Sequence, residues 1–298
     1  MKGLKKVICL IASMSVMVGA FSGCGSSDDS KDTKTAYTQK DPKDYKGTIT
    51  FWHFNKDEGP VMKEMFEKAY PNVKVNLQII SDQNQGYQNK ITSAIANGSG
   101  VPDVFCGESA VVKRFVNLEN GFADLSQKPF EAESVINKMI PATVDIGRDD
   151  NGKIRALTYQ VTPGALAYKR SVAKKYLGTD DPDKISEMIS TVDKLTDVAK
   201  TYRDSGYESG LTQWQPAWAA SIAKEENLFY ACPSWGIANI IECNDKDGKD
   251  KGTWGLAQSP IPYTWGGTWL GVYDKSKNKE LAWQFVKYMT SNKEGMKA

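Results

Sequence analysis

The sequence predicts an α/β fold, and three observations carry that expectation. Apolar spacing alternates between strand-like and helix-like over residues 47–106, the order of elements in an open α/β sheet. Proline and glycine punctuate those periodic segments where the chain must turn. The chain has 298 residues, 40% hydrophobic and 25% charged, enough to bury a sizeable core and to hold two domains.

The first 23 residues stand outside that globule. Lys2, Lys5 and Lys6 precede an apolar run over residues 7–21 that ends at Ser22-Gly23, the layout of a secretory signal peptide. The run is too short, and wrongly flanked, for a membrane span. Residues 21–24, Phe-Ser-Gly-Cys, resemble a bacterial lipobox, with Phe21 where leucine is usual. That resemblance implies a lipid on Cys24 and anchoring at the outer face of the cell membrane. The alternative is a plain signal peptide with a chance cysteine. Residues 25–46, rich in Ser, Asp, Lys and Thr, offer little to bury and are expected to form a disordered tether.

The globule then builds up element by element. Thr48 to Trp52 is β-rich and gives way to the polar His53 and Asn55. Pro60 suits a first helical turn, and Val61, Met62, Met65, Phe66, Ala69 and Tyr70 recur at helical spacing until Pro71-Asn72. Val73, Val75, Leu77 and Ile79 alternate as a second strand. Tyr87, Ile91, Ala94 and Ile95 mark a second helix closing at Asn97-Gly98, and residues 101–106 form a third strand. Ligands of open α/β sheets sit beyond the carboxyl ends of the strands. Here those ends offer Trp52, His53 and Asn55, then Gly107, Glu108 and Ser109. Residues 145–155 read as a turn between short strands, 165–168 as strand, 170–176 as helix, and 185–202 as one longer helix.

Charge and chemistry exclude several classes. Removing three lysines with the signal leaves 35 basic against 36 acidic residues, a net charge of −1, so nucleic acid is not an expected partner. Cys106, Cys232 and Cys243 remain after Cys9 and Cys24, an odd number that completes no disulfide framework. Cys232 and Cys243 either pair or remain small buried thiols. No His/Cys cluster has metal spacing, and there is neither a phosphate loop nor a nucleophile elbow. Asp103 and Glu108 are the one carboxylate pair reminiscent of glycosidase chemistry, and ordinary surface or bracing roles fit them better. No enzyme, no cofactor and no metal site is expected.

Binding chemistry is better represented. Residues 259–273 set Tyr263, Trp265, Trp269 and Tyr273 around Gly266-Gly267. Read alone, this is a hairpin with core aromatics; read as a surface, its flat rings suit the C–H faces of a sugar. Seven of the eight tryptophans follow Leu211, and Trp52 alone represents the first half. A sugar cleft would take Trp52 and His53 from one wall and Trp235, Trp265 and Trp269 from the other, with Asn55, Glu108, Gln160 and the backbone around Gly266-Gly267 bonding hydroxyls. Trp254 and Trp283 read as packing residues and Trp269 leans towards the core, whereas Trp214 and Trp218 fit either role.

Several segments together carry a family resemblance. They are residues 49–52 (Ile-Thr-Phe-Trp), 66–75 (Phe-Glu-Lys-Ala-Tyr-Pro-Asn-Val-Lys-Val), 102–105 (Pro-Asp-Val-Phe) and the crossing at 159–168. Residues 233–236 (Pro-Ser-Trp-Gly), 260–269 and 278–286 continue it. In order and spacing the chain resembles an extracellular solute-binding protein of the family-1, maltose-binding-like type that serves carbohydrate ABC importers. The resemblance covers most of residues 47–298. It implies a two-lobed, periplasmic-binding-protein-like (type II) fold with a hinge. The lobes would be residues 47–158 and 169–298, with the crossing at 159–168 between them. It implies no enzymatic activity but capture of an oligosaccharide by a monomer that delivers it to ABC permease transmembrane subunits. Relatives carry a longer helical stretch where only residues 203–211 stand here, and further helices after the position of Ala298. An internal deletion and a C-terminal truncation are therefore expected, with an incomplete second lobe. A binder of another solute, peptide or polyol, and a non-functional remnant remain the alternatives.

Overall fold

The computed structural model describes residues 35–204, 216–224, 227–246 and 252–297. The signal segment, Cys24 and Trp214 lie outside the described residues. The chain forms strand β1 (Gly47–His53), helix α1 (Glu58–Ala69), strand β2 (Val73–Ile79), helix α2 (Gly86–Asn97) and strand β3 (Val104–Glu108). β1 pairs in parallel with both β2 and β3, as the alternating pattern requires. Ile49, Phe51 and His53 point to one buried face of β1, while Thr50 and Trp52 are half-buried on the other. Gly98 closes α2 in the left-handed conformation, its N–H returning to Ala94 and Ile95.

The third strand starts at Val104 rather than Val101 because Asp103 acts as a brace. Its Oδ2 accepts from the Thr50 N–H and hydroxyl, both at 2.8 Å, and its Oδ1 accepts from Ser276 and Asn278. Where β1 and β3 diverge, the buried Tyr87 hydroxyl fills the fork. It donates towards the Trp52 and Cys106 carbonyls and accepts the Cys106 N–H at 3.0 Å.

Helix α3 (Ser109–Val116), helix α4 (Glu133–Ile136) and helix α5 (Pro141–Ile146) lead to the short strand β4 (Leu157–Thr158). The turn expected at residues 145–155 is present, closed by a single Arg148–Ile154 bridge instead of two strands. Asp149 organises it, accepting from the Asn151 and Lys153 N–H groups and from Arg155 Nε.

The chain then crosses to a second sheet, ordered β6-β5-β7. It contains strand β5 (Gly164–Lys169), helix α6 (Arg170–Leu177), helix α7 (Pro182–Met188), helix α8 (Val192–Asp204), helix α9 (Pro216–Ala223), strand β6 (Phe229–Pro233), a π-helical turn at Ile237–Glu242 and strand β7 (Trp254–Ala257). The single helix expected over 185–202 is two helices. Ile189 leaves helical geometry, and Thr191 starts the next helix by accepting the Lys194 N–H.

The return crossing changes the domain boundaries. Strand β8 (Thr268–Val272) inserts antiparallel between β3 and β4, completing a five-stranded sheet in the order β2-β1-β3-β8-β4. Helix α10 (Lys279–Ser291) packs on that sheet through Phe285, which meets Phe51 and Phe66. The segment expected as a second lobe over 169–298 therefore returns to the first lobe at residue 268. Residues 259–273 form the return crossing and strand β8 and not a hairpin, because the Tyr263 carbonyl accepts from Gly164 of β5 whereas residues 268–272 pair with β3 and β4.

Residues 35–46, expected as part of a disordered tether, are instead held against the first lobe. Tyr37 stacks edge-on against Phe130, Tyr45 is buried against Tyr70, and Lys40 pairs with Glu280 at 2.7 Å. These two tyrosines supply the apolar surface that the polar composition of residues 25–46 obscures.

Candidate functional site

β1 ends in a polar relay. The His53 Nδ1 accepts the Asn55 N–H at 2.9 Å, so the ring proton resides on Nε2 and points to the Tyr159 hydroxyl at 3.2 Å. Tyr159 in turn donates to Glu58 Oε2 at 2.5 Å, and the Gln160 amide nitrogen donates to Glu58 Oε1 at 3.1 Å. Burial pushes the His53 pKa down to about 4, which keeps the ring neutral. Burial, with the Glu58 carboxylate beside it, holds the Tyr159 phenol well above its ordinary range.

His53 was expected on the cleft wall. It is fully buried, stacked on Phe54 and edge-on to Phe51, with both ring nitrogens committed to protein groups. It therefore positions Tyr159 and offers no face to a ligand. Asn55 is half-buried and caps α1, its Oδ1 accepting from the Asp57 and Glu58 N–H groups. Trp52 stands apart from the relay, its half-exposed ring lying 4.6 Å beneath the Lys90 ammonium of α2.

The end of β3 meets the return crossing. Glu108 caps α3, accepting from the Ala110 N–H at 2.7 Å and the Ser109 hydroxyl at 2.5 Å. The Ser109 N–H donates to the Gly267 carbonyl at 2.9 Å. Gly266 and Gly267 have φ of +86° and +98°, a region that L side chains rarely adopt. A Cβ at Gly266 would stand 2.8 Å from Trp235 Nε1. That indole N–H donates to the Trp265 carbonyl at 2.8 Å, and the two rings meet edge to face at 5.6 Å. Both rings are half-exposed. Trp235 is held from behind by the π-helical turn, whose Asn239 donates twice to its carbonyl.

The two crossings are joined to each other. Trp265 N–H donates to the Thr162 carbonyl, Gly164 N–H to the Tyr263 carbonyl, and Pro163 bridges Thr264. The structure thus brings Asn55 and Gln160 together around Glu58, and Trp235, Trp265 and Gly266 together at the return crossing. Glu108 touches the second group through Ser109 and Gly267. Glu58 is the functional candidate that sequence reasoning missed. Its only signal was an acidic residue opening a helix just ahead of Gly59-Pro60.

The other described tryptophans pack. Trp269 is buried and donates to the Thr143 carbonyl, Trp283 and Trp218 are buried, and Trp254 donates to Asp245 beneath the Lys169 ammonium. Cys232 and Cys243 are free thiols, as is Cys106. Asp103 and Glu108 lie at opposite ends of β3, separated by roughly 16 Å of extended chain, far beyond the spacing of paired glycosidase carboxylates. Among the described residues no group of three His, Cys, Asp or Glu side chains could hold a metal ion, and no helix is long and apolar enough to cross a membrane.

Comparison with solved structures gives the same architecture. An extracellular solute-binding protein of family 1 superposes with a TM-score of 0.72 at 17% identity, over 83% of this chain and 76% of that one. The sugar-binding protein MalE of Xanthomonas citri gives 0.63 at 18% identity, over 82% and 75%. The galacto-N-biose-/lacto-N-biose I-binding protein of the ABC transporter of Bifidobacterium longum gives 0.63 at 15% identity, over the same shares. These likenesses establish the two-lobed α/β fold. The sequence itself matches the bacterial extracellular solute-binding protein model over residues 55–231, and a second model of the same description over 190–298. The chain belongs to the bacterial extracellular solute-binding protein family, a family of binding proteins rather than of enzymes.

Proposed function

We propose that the protein is the substrate-binding component of a carbohydrate ABC importer, holding a sugar between its two sheets. The observation that carries this reading is the Ser109–Gly267 hydrogen bond. It sets the aromatic turn of Trp265 and Gly266 against the polar carboxyl end of β3, and so joins flat apolar rings to hydrogen-bonding groups in one place. A sugar needs both, because its C–H faces stack while its hydroxyls bond. The names of the matching structures, one a sugar-binding protein and one a binder of lacto-N-biose, support the same substrate class.

The two paired crossings form the hinge about which the lobes close, a motion known for binding proteins of this kind. A lipid on Cys24 anchors the protein, as a monomer, outside the membrane, where it delivers its sugar to permease subunits. Isothermal titration with malto-, xylo- and galacto-oligosaccharides tests the reading, with peptides and polyols as comparison arms. Saturable binding of at least one sugar is expected. Silence across all three sugar series, or tighter binding of a peptide or polyol, would overturn it.

A further inference from the structure

The segment before β1 is fastened to the last helix rather than trailing from the first strand. The Tyr37 N–H donates to the Pro129 carbonyl at 2.9 Å, and its ring meets Phe130 edge to face. Phe130 in turn packs against Trp283 of α10. Lys40 pairs with Glu280 at 2.7 Å, and the Gln39 side-chain oxygen accepts from Lys287. Pro42–Asp44 forms a short 3-10 turn capped by Asp41, which accepts the Lys43 N–H at 3.0 Å. Tyr45 is buried edge-on to Tyr70, and its hydroxyl accepts the Lys40 N–H at 3.2 Å. Asn72 fixes the exit, donating to the Lys43 carbonyl at 2.7 Å and accepting the Gly47 N–H.

The course of these residues accounts for the burial of an outward face of α10. Glu280, Gln284 and Lys287 share one face at i, i+4 and i+7, a polar stripe that would ordinarily meet water. Gln284 is nonetheless 1% exposed, and burial pushes the Lys287 pKa down. Lys40 and Gln39 hold the two ends of that stripe, so the segment lies across it. The half-exposed Lys40–Glu280 pair adds little to the hold, and the rings of Tyr37 and Tyr45 carry most of it. Every partner named here belongs to the first lobe.

Resting on the anchor reading above, we infer that residues 37–46 are a strap that makes the first lobe the carrier of the membrane link. The free leash then ends at Tyr37, and the second lobe is the part that moves. The stretch from Cys24 to Tyr37 can span at most roughly 45 Å, whereas a leash running to Gly47 would reach roughly 80 Å. The strap thus nearly halves the distance the cleft can travel from the membrane, which raises its effective concentration at a permease.

Hydrogen exchange read by mass spectrometry tests this on the full chain, native and as Tyr37→Ala/Lys40→Ala. Exchange over residues 37–45 is expected to rise at least roughly tenfold in the variant. Sugar affinity should stay within roughly twofold, since the strap lies away from the cleft. A melting curve establishes that the double variant is folded, and Tyr37→Ala alone replaces it where it is not. Saturating the native chain with the tightest sugar of the titration panel should leave exchange in the strap within roughly twofold. Equal exchange over residues 37–45 in native and variant chains overturns the strap. A roughly tenfold change there on sugar binding, or a roughly tenfold loss of affinity in a folded variant, overturns its assignment to the first lobe alone. The mass of the peptide bearing residue 24 reads the anchor separately: an unmodified Cys24 overturns the anchor reading and the leash with it. Silence with every sugar overturns the sugar reading, and the native-against-variant comparison then decides the strap by itself.

Discussion

Tyr159 donates its hydroxyl proton to Glu58 across 2.5 Å, tying the first interlobe crossing to the opening turn of α1. The same hydroxyl accepts from buried His53, so one oxygen connects β1, α1 and the crossing. Tyr159→Phe removes both bonds and leaves a carboxylate and an imidazole N–H short of a partner. A loss of about 1–3 kcal/mol of unfolding free energy is expected, because unmade bonds to charged or buried groups cost their desolvation. Chemical denaturation of the variant against the native chain measures it. A change under a few tenths of a kcal/mol would show that the relay contributes nothing to stability.

His53 makes stability depend on pH in a defined window. Its folded pKa, about 4, lies below the ordinary value of 6.5. Between those values the unfolded chain binds the extra proton, so stability rises with pH. The contribution is fully present above pH 6.5 and is lost as pH falls towards 4. Its size is about 3 kcal/mol at most, from roughly 1.4 kcal/mol for each pH unit of displacement. His53→Gln should flatten this part of the profile once carboxylate titration, common to both proteins, is subtracted. Parallel slopes for variant and native chain between pH 4 and 6.5 would refute the assignment.

The local elements of the first lobe were legible because their periodicity is local. Val73, Val75 and Leu77 alternate, and Met62 and Phe66 recur on one helical face, whatever the rest of the chain does. The insertion of β8 was not legible, since pairing of residues 268–272 with 104–108 is a long-range event that no alternation records. Site residues divide in the same way. Trp235 and Trp265 could be picked out by ring chemistry and their glycine neighbours. The burial of His53 could not, because it depends on Phe51, Phe54 and Tyr159 closing around the ring. Glu58 escaped notice because an acid in a first helical turn is already explained by the helix dipole.

Asp103 provides a separation of stability from binding. It sits at the amino end of β3, at the opposite end from Glu108, and accepts four hydrogen bonds from Thr50, Ser276 and Asn278. Asp103→Ala leaves those donors unpaired and should cost about 2–4 kcal/mol in denaturation experiments. Sugar affinity, measured by titration well below the melting transition, should stay within twofold, or about 0.4 kcal/mol. A large loss of affinity in a variant still folded would place the ligand at the wrong end of the sheet.

Gly266 sets the position of the aromatic corner, and replacing it should affect stability and binding together. Its φ of +86° disfavours any side chain, and a Cβ there would stand 2.8 Å from the Trp235 Nε1 that bonds the Trp265 carbonyl. Gly266→Ala must therefore strain the backbone and displace the Trp235 ring, for a total of about 1–3 kcal/mol. Gly98 supplies the control: its φ is +63°, but a Cβ there meets nothing within 4 Å. Gly98→Ala should show the backbone strain alone, about 1 kcal/mol, with sugar affinity unchanged. Tryptophan fluorescence should shift in Gly266→Ala and not in Gly98→Ala, and sugar affinity should fall at least tenfold, or about 1.4 kcal/mol, in the first only. Equal behaviour of the two variants in titration would mean that the Trp235–Trp265 corner does not contact the ligand.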